Sequence, residues 1–324
     1  MSGAPVLVAP DKFKGTFSAA EVAAAIAAGL RDAGREAVEL PVADGGEGTA
    51  AVLGGEPAPI AASDALGRPV EASYAWLDDE TAIVEAAAAS GLWRLEPDEL
   101  DPLVATSAGT GELIAAAIDA GARHVIVACG GTATVDGGRG LLEALGGTAR
   151  GVRFTAVCDV RTPWERAAAE FGPQKGAGPE AVKRLRGRLA SRVRSMRKDP
   201  RGVPLTGCGG GISGALWSDL GAKLVPGPSF VLDAIGFDTL MRRAAFVVTG
   251  EGKLDESTLS GKAVAEVATR CRQAGVWCHA VVGSDELDLF GRRVLDLASV
   301  HQAGGLEELR EAGRALAGAP SPTS

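Results

Sequence analysis

The sequence has few cysteines, and none of them are spaced as in disulfide or zinc frameworks. Its five cysteines are odd in number and form no Cys-x-x-Cys motif, which argues against a disulfide scaffold and a structural zinc site. A reducing compartment suits such a chain. No apolar run approaches the roughly 18–20 residues of a membrane span, and residues 1–10 lack the basic start and apolar region of a secretion signal. We therefore expect a cytoplasmic protein.

An excess of basic residues is also missing. The chain has 33 Lys and Arg residues against 41 Asp and Glu residues, so its net charge is -8. This charge repels polyanions, and we expect neither a nucleic acid nor a membrane surface as a partner. Hydrophobic residues make up 46% of the 324 residues and charged residues 23%, which is the balance of a globular protein. At roughly 150 residues per domain, this length predicts about two domains.

Two nucleotide-binding fingerprints are absent. A P-loop requires Gly, four residues, and then Gly-Lys-Ser/Thr. Here Gly261-Lys262 is followed by Ala263, and Glu256 stands where the first glycine is required. No Gly-x-Gly-x-x-Gly opens a helix after a predicted strand, which disfavours a dinucleotide-dependent reductase. The three histidines show no metal-ligand spacing and are interpreted as packing or surface residues.

Glycine, by contrast, is abundant, and it follows the predicted strands. The 45 glycines are about 14% of the chain, against a usual ~7%. Short apolar runs, typical of buried strands, end in loops of glycine and acidic residues, and helices follow these loops. This order predicts an α/β fold. Strands are predicted at residues 6–9, 38–42, 124–128, 245–249 and 278–282, a hairpin at 70–76 and 81–85, and a helix with a Ser18/Glu21 capping box at 19–33.

The loops after the strands carry the candidate chemistry. In open parallel sheets, ligands bind beyond the carboxyl ends of the strands, and glycine lets backbone N–H groups approach a phosphate. Four loops have this composition, at residues 11–16, 44–49, 130–138 and 250–255. Their carboxylates would bind a metal, a hydroxyl or a proton, and their lysines an anion. Phosphoryl transfer needs such groups and requires neither histidine nor cysteine, so the loops predict a phosphotransferase.

Six motifs, spread over almost the whole chain, follow the order of one known family. They are residues 9–15 (APDKFKG), 41–49 (PVADGGEGT), 109–114 (GTGELI), 130–138 (GGTATVDGG), 171–177 (FGPQKGA) and 250–262 (GEGKLDESTLSGK). These motifs resemble the signatures of the bacterial glycerate kinase family, the type that is unrelated to P-loop kinases. The resemblance implies phosphorylation of D-glycerate with ATP and Mg²⁺. It favours 2-phosphoglycerate as the product, although the residues alone do not decide between the C2 and C3 hydroxyls.

The resemblance also implies a domain organisation. It implies two α/β domains with the active site in the cleft between them. We predict a Rossmann-like domain built from both chain ends, residues 1–62 and 236–324, and an inserted α/β domain at residues 63–235. The sequence leaves the oligomeric state open, a homodimer included.

The site residues are predicted from the four loops and the matching motifs. Glycerate would place its carboxylate on amide donors and a lysine of the first loop, and either Asp136 or Asp255 would receive or orient the hydroxyl proton. The predicted metal ligands, bound directly or through water, are Asp44 and Glu47. The predicted catalytic residues are Asp11, Lys12, Lys14, Asp136 and Asp255. The predicted substrate and nucleotide contacts are Gly45, Gly46, Thr49, Gly130, Gly131, Thr132, Gly137, Gly138, Lys175, Glu251 and Lys253.

The chain departs from the family pattern within these loops. Ala108 replaces an aromatic residue, Val135 an Asn and Ser257 a Gln, and residues 161–166 replace an Asp-Asn-Pro and glycine-rich segment. One interpretation is a kinase for glycerate or a related small hydroxy acid. The other is a catalytically altered or inactive relative that binds or phosphorylates another small hydroxy acid. The many ionisable residues kept in the glycine loops favour the first.

Overall fold

The computed structural model describes residues 4–319, apart from the side chain of Ser260. The chain divides into two compact units. The first, called here the end unit, combines Met1–Asp44 with Pro228–Ser324, and the second, the middle unit, is Gly45–Gly227. Residues 45–62 fall in the middle unit because the strand at Glu56–Ser63 is paired there along its whole length. The domain bounds expected from the sequence, 62/63 and 235/236, stay a prediction.

Strands and helices alternate over most of the described chain. The strands are β1 (Val6–Pro10), β2 (Ala37–Glu39), β3 (Glu56–Ser63), β4 (Pro69–Trp76), β5 (Thr81–Glu85), β6 (His124–Ala128), β7 (Arg153–Cys158), β8 (Lys223–Pro226), β9 (Val247–Leu254), β10 (Cys278–Asp285) and β11 (Ser299–Gln302). The α-helices are α1 (Ala19–Asp32), α2 (Thr49–Val52), α3 (Ala86–Ser90), α4 (Ala108–Asp119), α5 (Arg139–Leu145), α6 (Ala167–Phe171), α7 (Pro179–Arg192), α8 (Ile212–Asp219), α9 (Gly227–Ala234), α10 (Phe237–Met241), α11 (Ala263–Ala274), α12 (Leu289–Leu295) and α13 (Leu306–Leu316).

The end unit is built on a five-stranded parallel sheet in the order β11-β10-β9-β1-β2. Strand β1 is apolar and buried along its whole length, because both of its faces are covered. Helices α1 and α13 pack very closely against each other. A Cβ at Gly29 would overlap the backbone of Arg310, and one at Gly313 would overlap the backbone of Ile26, so these two contacts require glycine.

The middle unit has a six-stranded mixed sheet in the order β3-β4-β5-β6-β7-β8. The strands from β3 to β5 are antiparallel neighbours, and those from β5 to β8 are parallel. Its main apolar core joins Leu113 and Ile114 of α4, Val125 of β6, Leu141 of α5 and Ile212 of α8. Both units are therefore α/β structures, as the order of strand, loop and helix predicts.

Two local predictions are confirmed in detail. Glu21 N–H donates to Ser18 Oγ, and Ser18 N–H donates to Glu21 Oε2 at 2.8 Å, so the capping box begins α1. Strands β4 and β5 form the expected antiparallel hairpin. Asp78 Oδ1 closes its turn by accepting from the N–H groups of Glu80 and Thr81 at 2.9 and 2.8 Å.

The cysteines are buried, and the helices are short. All five cysteines are buried thiols outside any disulfide. Burial raises the pKa of the Cys158 and Cys208 thiols well above the ordinary value, so they stay protonated. Within residues 4–319, every helix is too short or too polar to cross a bilayer.

His279 on β10 is a buried titratable group away from the predicted loops. Only 4% of the residue is exposed, and its ring packs edge-on against Phe246 with a centroid separation of 5.0 Å. Its Nδ1 lies 2.8 Å from Ser299 Oγ. Burial, together with the charge of His301, lowers the pKa of His279 to about 4. The folded protein therefore holds His279 neutral at mildly acidic pH.

We expect His279 to make the folded protein progressively less stable as the pH falls from about 6.5 toward about 4. In this window the unfolded chain protonates His279 and the folded chain does not, so acid favours unfolding by about 2 kcal/mol between about pH 7 and pH 5. Burial also lowers the pKa of His301, which adds a loss of the same sign. Urea unfolding of the wild type and His279→Asn at both pH values measures this difference. An equal change in stability between pH 7 and pH 5 in the two proteins would contradict the assignment to His279.

Candidate active site

Asp11 follows β1 directly, at the carboxyl edge of the end-unit sheet. Its N–H donates to Gly250 O of β9 at 2.8 Å, which ties it to the neighbouring strand. Its Oδ1 accepts from Lys12 N–H at 2.7 Å, and the residue is only 8% exposed. Strand pairing therefore fixes a buried carboxylate at the edge where ligands of parallel sheets bind.

The electrostatics of Asp11 show which predicted residues lie around it. Burial and the charge of Asp44 raise the pKa of Asp11 from 3.8 to about 8, and Lys12 opposes this rise. Glu251 adds a smaller increase. The charges of Asp44 and Glu251 both reach Asp11, and Asp11 N–H is bonded to Gly250 O, so predicted residues from three separate loops lie near one another in the end unit.

Glu251 of β9 is the second buried carboxylate of this group and is 7% exposed. Its Oε1 accepts from the Thr258 hydroxyl at 2.6 Å, and its Oε2 lies 3.5 Å from Lys262 Nζ. Burial raises the pKa of Glu251, although Lys262 and Thr258 act to lower it. Lys262 is absent from the predicted site residues, because Gly261-Lys262 resembles an incomplete P-loop. Its place at the end of the last matching motif was the available signal.

The loops at residues 11–16 and 250–255 lie against each other. A Cβ at Gly252 would lie 3.3 Å from both Lys14 N and Phe13 Cα, tighter than ordinary van der Waals contact. The first loop is closed by Phe13 N–H, which donates to Phe17 O at 2.9 Å. Lys14 itself is exposed. The backbone contact thus holds both predicted lysines of the first loop at the same sheet edge.

Lys253 and Asp255 have partners of their own. Lys253 Nζ lies 2.8 Å from Glu286 Oε2 and 3.9 Å from Asp255 Oδ2. Asp255 accepts from Ser257 N–H at 2.9 Å and from the Ser257 hydroxyl. Burial raises the pKa of Asp255, but these hydrogen bonds and the charge of Lys262 bring it below the ordinary value. A catalytic role for Asp255 and a binding role for Lys253 stay predictions.

Two of the glycine loops meet inside the middle unit. Gly130 N–H donates to Gly45 O at 3.4 Å, and a Cβ at Gly130 would lie 2.8 Å from Gly46 Cα and from Asp159 Oδ2. Only glycine fits such a site. Thr49 uses its hydroxyl within its own loop, donating to Gly46 O at 2.7 Å. The two loops therefore pack together beyond the carboxyl end of β6, with Thr49 fixing the first of them.

Asp159 belongs to the same place but is absent from the predicted residues. It follows β7 directly, and its Oδ1 accepts from the Cys208 thiol at 2.9 Å. Strand β7 is the parallel neighbour of β6. Asp159 therefore lies at the same sheet edge as the loop after β6, where ligands of parallel sheets bind.

Lys175 joins the FGPQKGA motif to the loop at residues 130–138. Its Nζ donates to Thr134 O at 2.8 Å and to Thr132 Oγ1 at 3.2 Å. The residue is only 4% exposed, and Nζ lies 6.0 Å from the centre of the Phe171 ring. The structure thus brings together two residues predicted to bind a ligand, Lys175 and Thr132, and adds a buried cation to the glycine loop.

Asp136 has the bonding pattern of a positioning group. Its carboxylate accepts from Ser107 N–H at 2.9 Å and from Ser107 Oγ at 2.7 Å, which fixes the residue before α4. It also accepts from the N–H groups of Gly138 and Gly140 at 2.9 and 3.1 Å, which holds the start of α5. These four hydrogen bonds give Asp136 a structural role that requires no catalysis. A catalytic role for Asp136 stays a prediction.

The neighbours of Asp136 are explained by packing. A Cβ at Gly137 would lie 2.8 Å from the Trp164 ring, and one at Gly138 would lie 2.5 Å from Ala215 Cβ. Val135 is fully buried in an apolar cluster that includes Trp164 and Leu185. This departure from the family pattern is therefore a core residue. A ligand-binding role for the two glycines stays a prediction.

The carboxylates at the end-unit sheet edge suit a hard cation. Mg²⁺ is usually held by one or two carboxylates and several waters. The repulsion that raises the pKa of Asp11 beside Asp44 is the kind of strain that a divalent cation relieves. Glu47 lies half-buried in the loop that follows Asp44. Within residues 4–319, no group of three or more His, Cys, Asp or Glu side chains is placed so that it could hold a metal ion by itself.

The fold and these loops define an α/β protein whose parallel strands end in carboxylates, lysines and glycine turns, without a P-loop. A model of the glycerate kinase family matches residues 6–151 and 147–303. The chain therefore belongs to the glycerate kinase family, which confirms the resemblance.

Individual relatives agree with this assignment over nearly full length. A protein named Glycerate kinase from Bacillus subtilis is 35% identical over 87% of this chain and 86% of its own. A protein named Glycerate 2-kinase from Escherichia coli K12 is 35% identical over 92% of this chain and 88% of its own. A crystal structure from Salmonella typhimurium LT2, whose name includes glycerate kinase 2, is 32% identical and covers 97% of both chains with a TM-score of 0.79.

Proposed function

We propose that this protein transfers the terminal phosphoryl group of ATP to D-glycerate in the presence of Mg²⁺, with the C2 hydroxyl as the acceptor. Family membership supports glycerate as the substrate and a nucleotide as the phosphate donor. The relative named Glycerate 2-kinase supports C2. One observation carries the proposal: Asp11, Asp44 and Glu251, from three distant loops, are gathered with lysines at one sheet edge.

The proposal first assigns the acceptor and the metal. Lys12 or Lys14 binds the glycerate carboxylate, Asp11 orients the hydroxyl, and either Asp136 or Asp255 receives its proton. Asp44, with Glu47, holds Mg²⁺ directly or through water. When bound, Mg²⁺ neutralises charge on the phosphate oxygens. Glu251 and Lys262 form an ion pair that holds the 250–262 segment in place, and the Glu251 side chain of this pair is buried.

In the middle unit, the proposal assigns the phosphates of the donor. Gly131 and Thr132 present backbone N–H groups in a loop where glycine removes side-chain bulk. Lys175 brings a positive charge to that loop through Thr132 and Thr134. Fixed donors and a fixed cation stabilise charge on a transferring phosphoryl group without reorganisation during the reaction.

Phosphorylation assays with purified protein test this function. We expect ADP release from ATP and Mg²⁺ that depends on D-glycerate and is much weaker with other small hydroxy acids. Phosphorus NMR of the product separates the two hydroxyls. The phosphorus of 2-phosphoglycerate couples to the single proton on C2, whereas that of 3-phosphoglycerate couples to two protons on C3.

Three other outcomes would contradict parts of the proposal. Turnover only with a different hydroxy acid would reject glycerate but keep the kinase. Binding of ATP and glycerate without turnover would identify an inactive relative. A product whose phosphorus couples to two protons would reject C2.

A further inference from the structure

Trp93 is a large apolar side chain left in solvent beside the proposed phosphate loop. It lies in the 3-10 turn Leu92–Arg94, which follows α3. The residue is 58% exposed, although an indole normally contributes a large buried area to a core. Single exposed apolar residues are common and need no explanation on their own. The fixed geometry and the location of Trp93 distinguish it.

Both the indole and its neighbour are locked in place. Trp93 Nε1–H donates to Ala87 O at 3.0 Å, which fixes the ring. The Arg94 guanidinium lies 4.5 Å from the ring centre. Arg94 is itself held, because Nε donates to Ala88 O at 2.7 Å and a terminal nitrogen donates to Glu71 O at 2.9 Å. The result is a preorganised flat surface that carries a positive charge.

Backbone pairing joins this surface to the glycine loop at residues 130–138. Leu92 N–H donates to Gly131 O at 2.9 Å, and Ala133 N–H donates to Ser90 O at 2.9 Å. Between these two bonds, Gly91 and Thr132 form an antiparallel bridge. Trp93 therefore stands two residues along the chain from a residue paired with Thr132, where the proposed function seats the donor phosphates.

We propose that Trp93, supported by Arg94, is the stacking surface for the nucleobase of the phosphate donor. The ligand class rests on the proposed function, in which the two substrates are a nucleotide and a three-carbon acid. Only the nucleotide carries a flat aromatic ring that can stack on an indole. The nearby guanidinium adds a cation–π attraction for the base. Base stacking on an aromatic side chain typically changes affinity by roughly 5- to 100-fold.

Calorimetric binding with three variants tests the proposal. Trp93→Ala should weaken ATP binding by roughly 5- to 100-fold, whereas Trp93→Phe should retain most of the affinity. Inorganic tripolyphosphate, which has no base, should bind the wild type and Trp93→Ala equally. Trp277→Ala is the matched control, because Trp277 is also exposed, at 40%, but lies outside the middle unit. It should bind ATP as the wild type does.

Steady-state kinetics separate this inference from the proposed function. Trp93→Ala should raise the KM for ATP by a similar factor and leave the KM for D-glycerate and kcat at saturating ATP nearly unchanged. Unchanged ATP binding by Trp93→Ala would overturn the stacking site, and so would an equal loss of ATP and tripolyphosphate binding. Glycerate turnover with no effect of Trp93 rejects only the inference. Trp93-dependent ATP binding without turnover rejects only the proposed function, and a wild type that binds no ATP rejects both.

Discussion

Replacing Asp44 by Asn is expected to lower kcat for D-glycerate phosphorylation by more than about 100-fold. Asp44 lies close enough to Asp11 for its charge to raise the pKa of that carboxyl group. In the proposed function Asp44 also holds Mg²⁺, and the substitution removes the charge while keeping the shape of the side chain. Kinetics as a function of Mg²⁺ concentration provide the measurement, and the variant should need a higher concentration for half-maximal rate.

A matched substitution separates this effect from damage to the fold. Asp79→Asn makes the same chemical change at an exposed residue of the turn between β4 and β5, and it should leave kcat unchanged. Urea unfolding of Asp44→Asn should show little loss of stability, because the substitution relieves the repulsion between Asp44 and Asp11. If Asp44→Asn keeps the wild-type rate, the loop at residues 44–49 is structural.

The proximity of Asp11 and Glu251 at the edge of the end-unit sheet could be predicted, because parallel strands place their carboxyl ends side by side. Asp11 and Glu251 are distant in sequence, but each lies at the end of a short apolar run. Strands β1 and β9 are parallel neighbours in the structure, with Pro10 opposite Gly250. Any such pair brings the loops after its strands together, so recognition of the strands sufficed. The capping box of α1 and the hairpin turn at Asp78 were predictable for a simpler reason, since both are local.

Other features of the site depend on contacts that no local pattern encodes. In the sequence, Lys262 resembles only part of an incomplete P-loop, and its ion pair with Glu251 is visible only in the folded protein. The four donors of Asp136 include Ser107, which belongs to another element. The exposure of Trp93 depends on how its 3-10 turn is paired with the glycine loop. These properties arise only when distant segments pack.

The glycines of the sequence indicate where other atoms approach the backbone closely, but they do not indicate whether those atoms belong to a binding loop or to the core. At Gly130, the close neighbours are Gly46 and the Asp159 carboxylate, within the predicted glycine loops. At Gly137, the close neighbour is the buried Trp164 ring. The sequence does not distinguish the two glycines, because the absence of a side chain leaves room for a ligand or for a packed aromatic ring. Only the neighbours distinguish the two cases.

Replacing Lys175 by Met is expected to raise the KM for ATP at least about 10-fold and to lower kcat about 100-fold. The substitution keeps a long unbranched side chain and removes the charge that Lys175 brings to Thr132 and Thr134. In the proposed function this charge attracts the donor phosphates and is needed most when charge develops on the transferred group. ATP titrations at saturating D-glycerate measure both constants.

Stability must be followed alongside, because Lys175 is buried. Loss of its hydrogen bond to Thr134 O leaves a buried acceptor and should cost about 1–3 kcal/mol, which urea unfolding will show. Lys183→Met, at an exposed position of α7, is the matched control and should alter neither kinetics nor stability. The decisive comparison is between the two readouts. A Lys175→Met protein that is less stable but keeps the wild-type KM and kcat would make Lys175 a structural cation of the middle unit, because a charge that binds phosphates cannot be removed without weakening ATP binding.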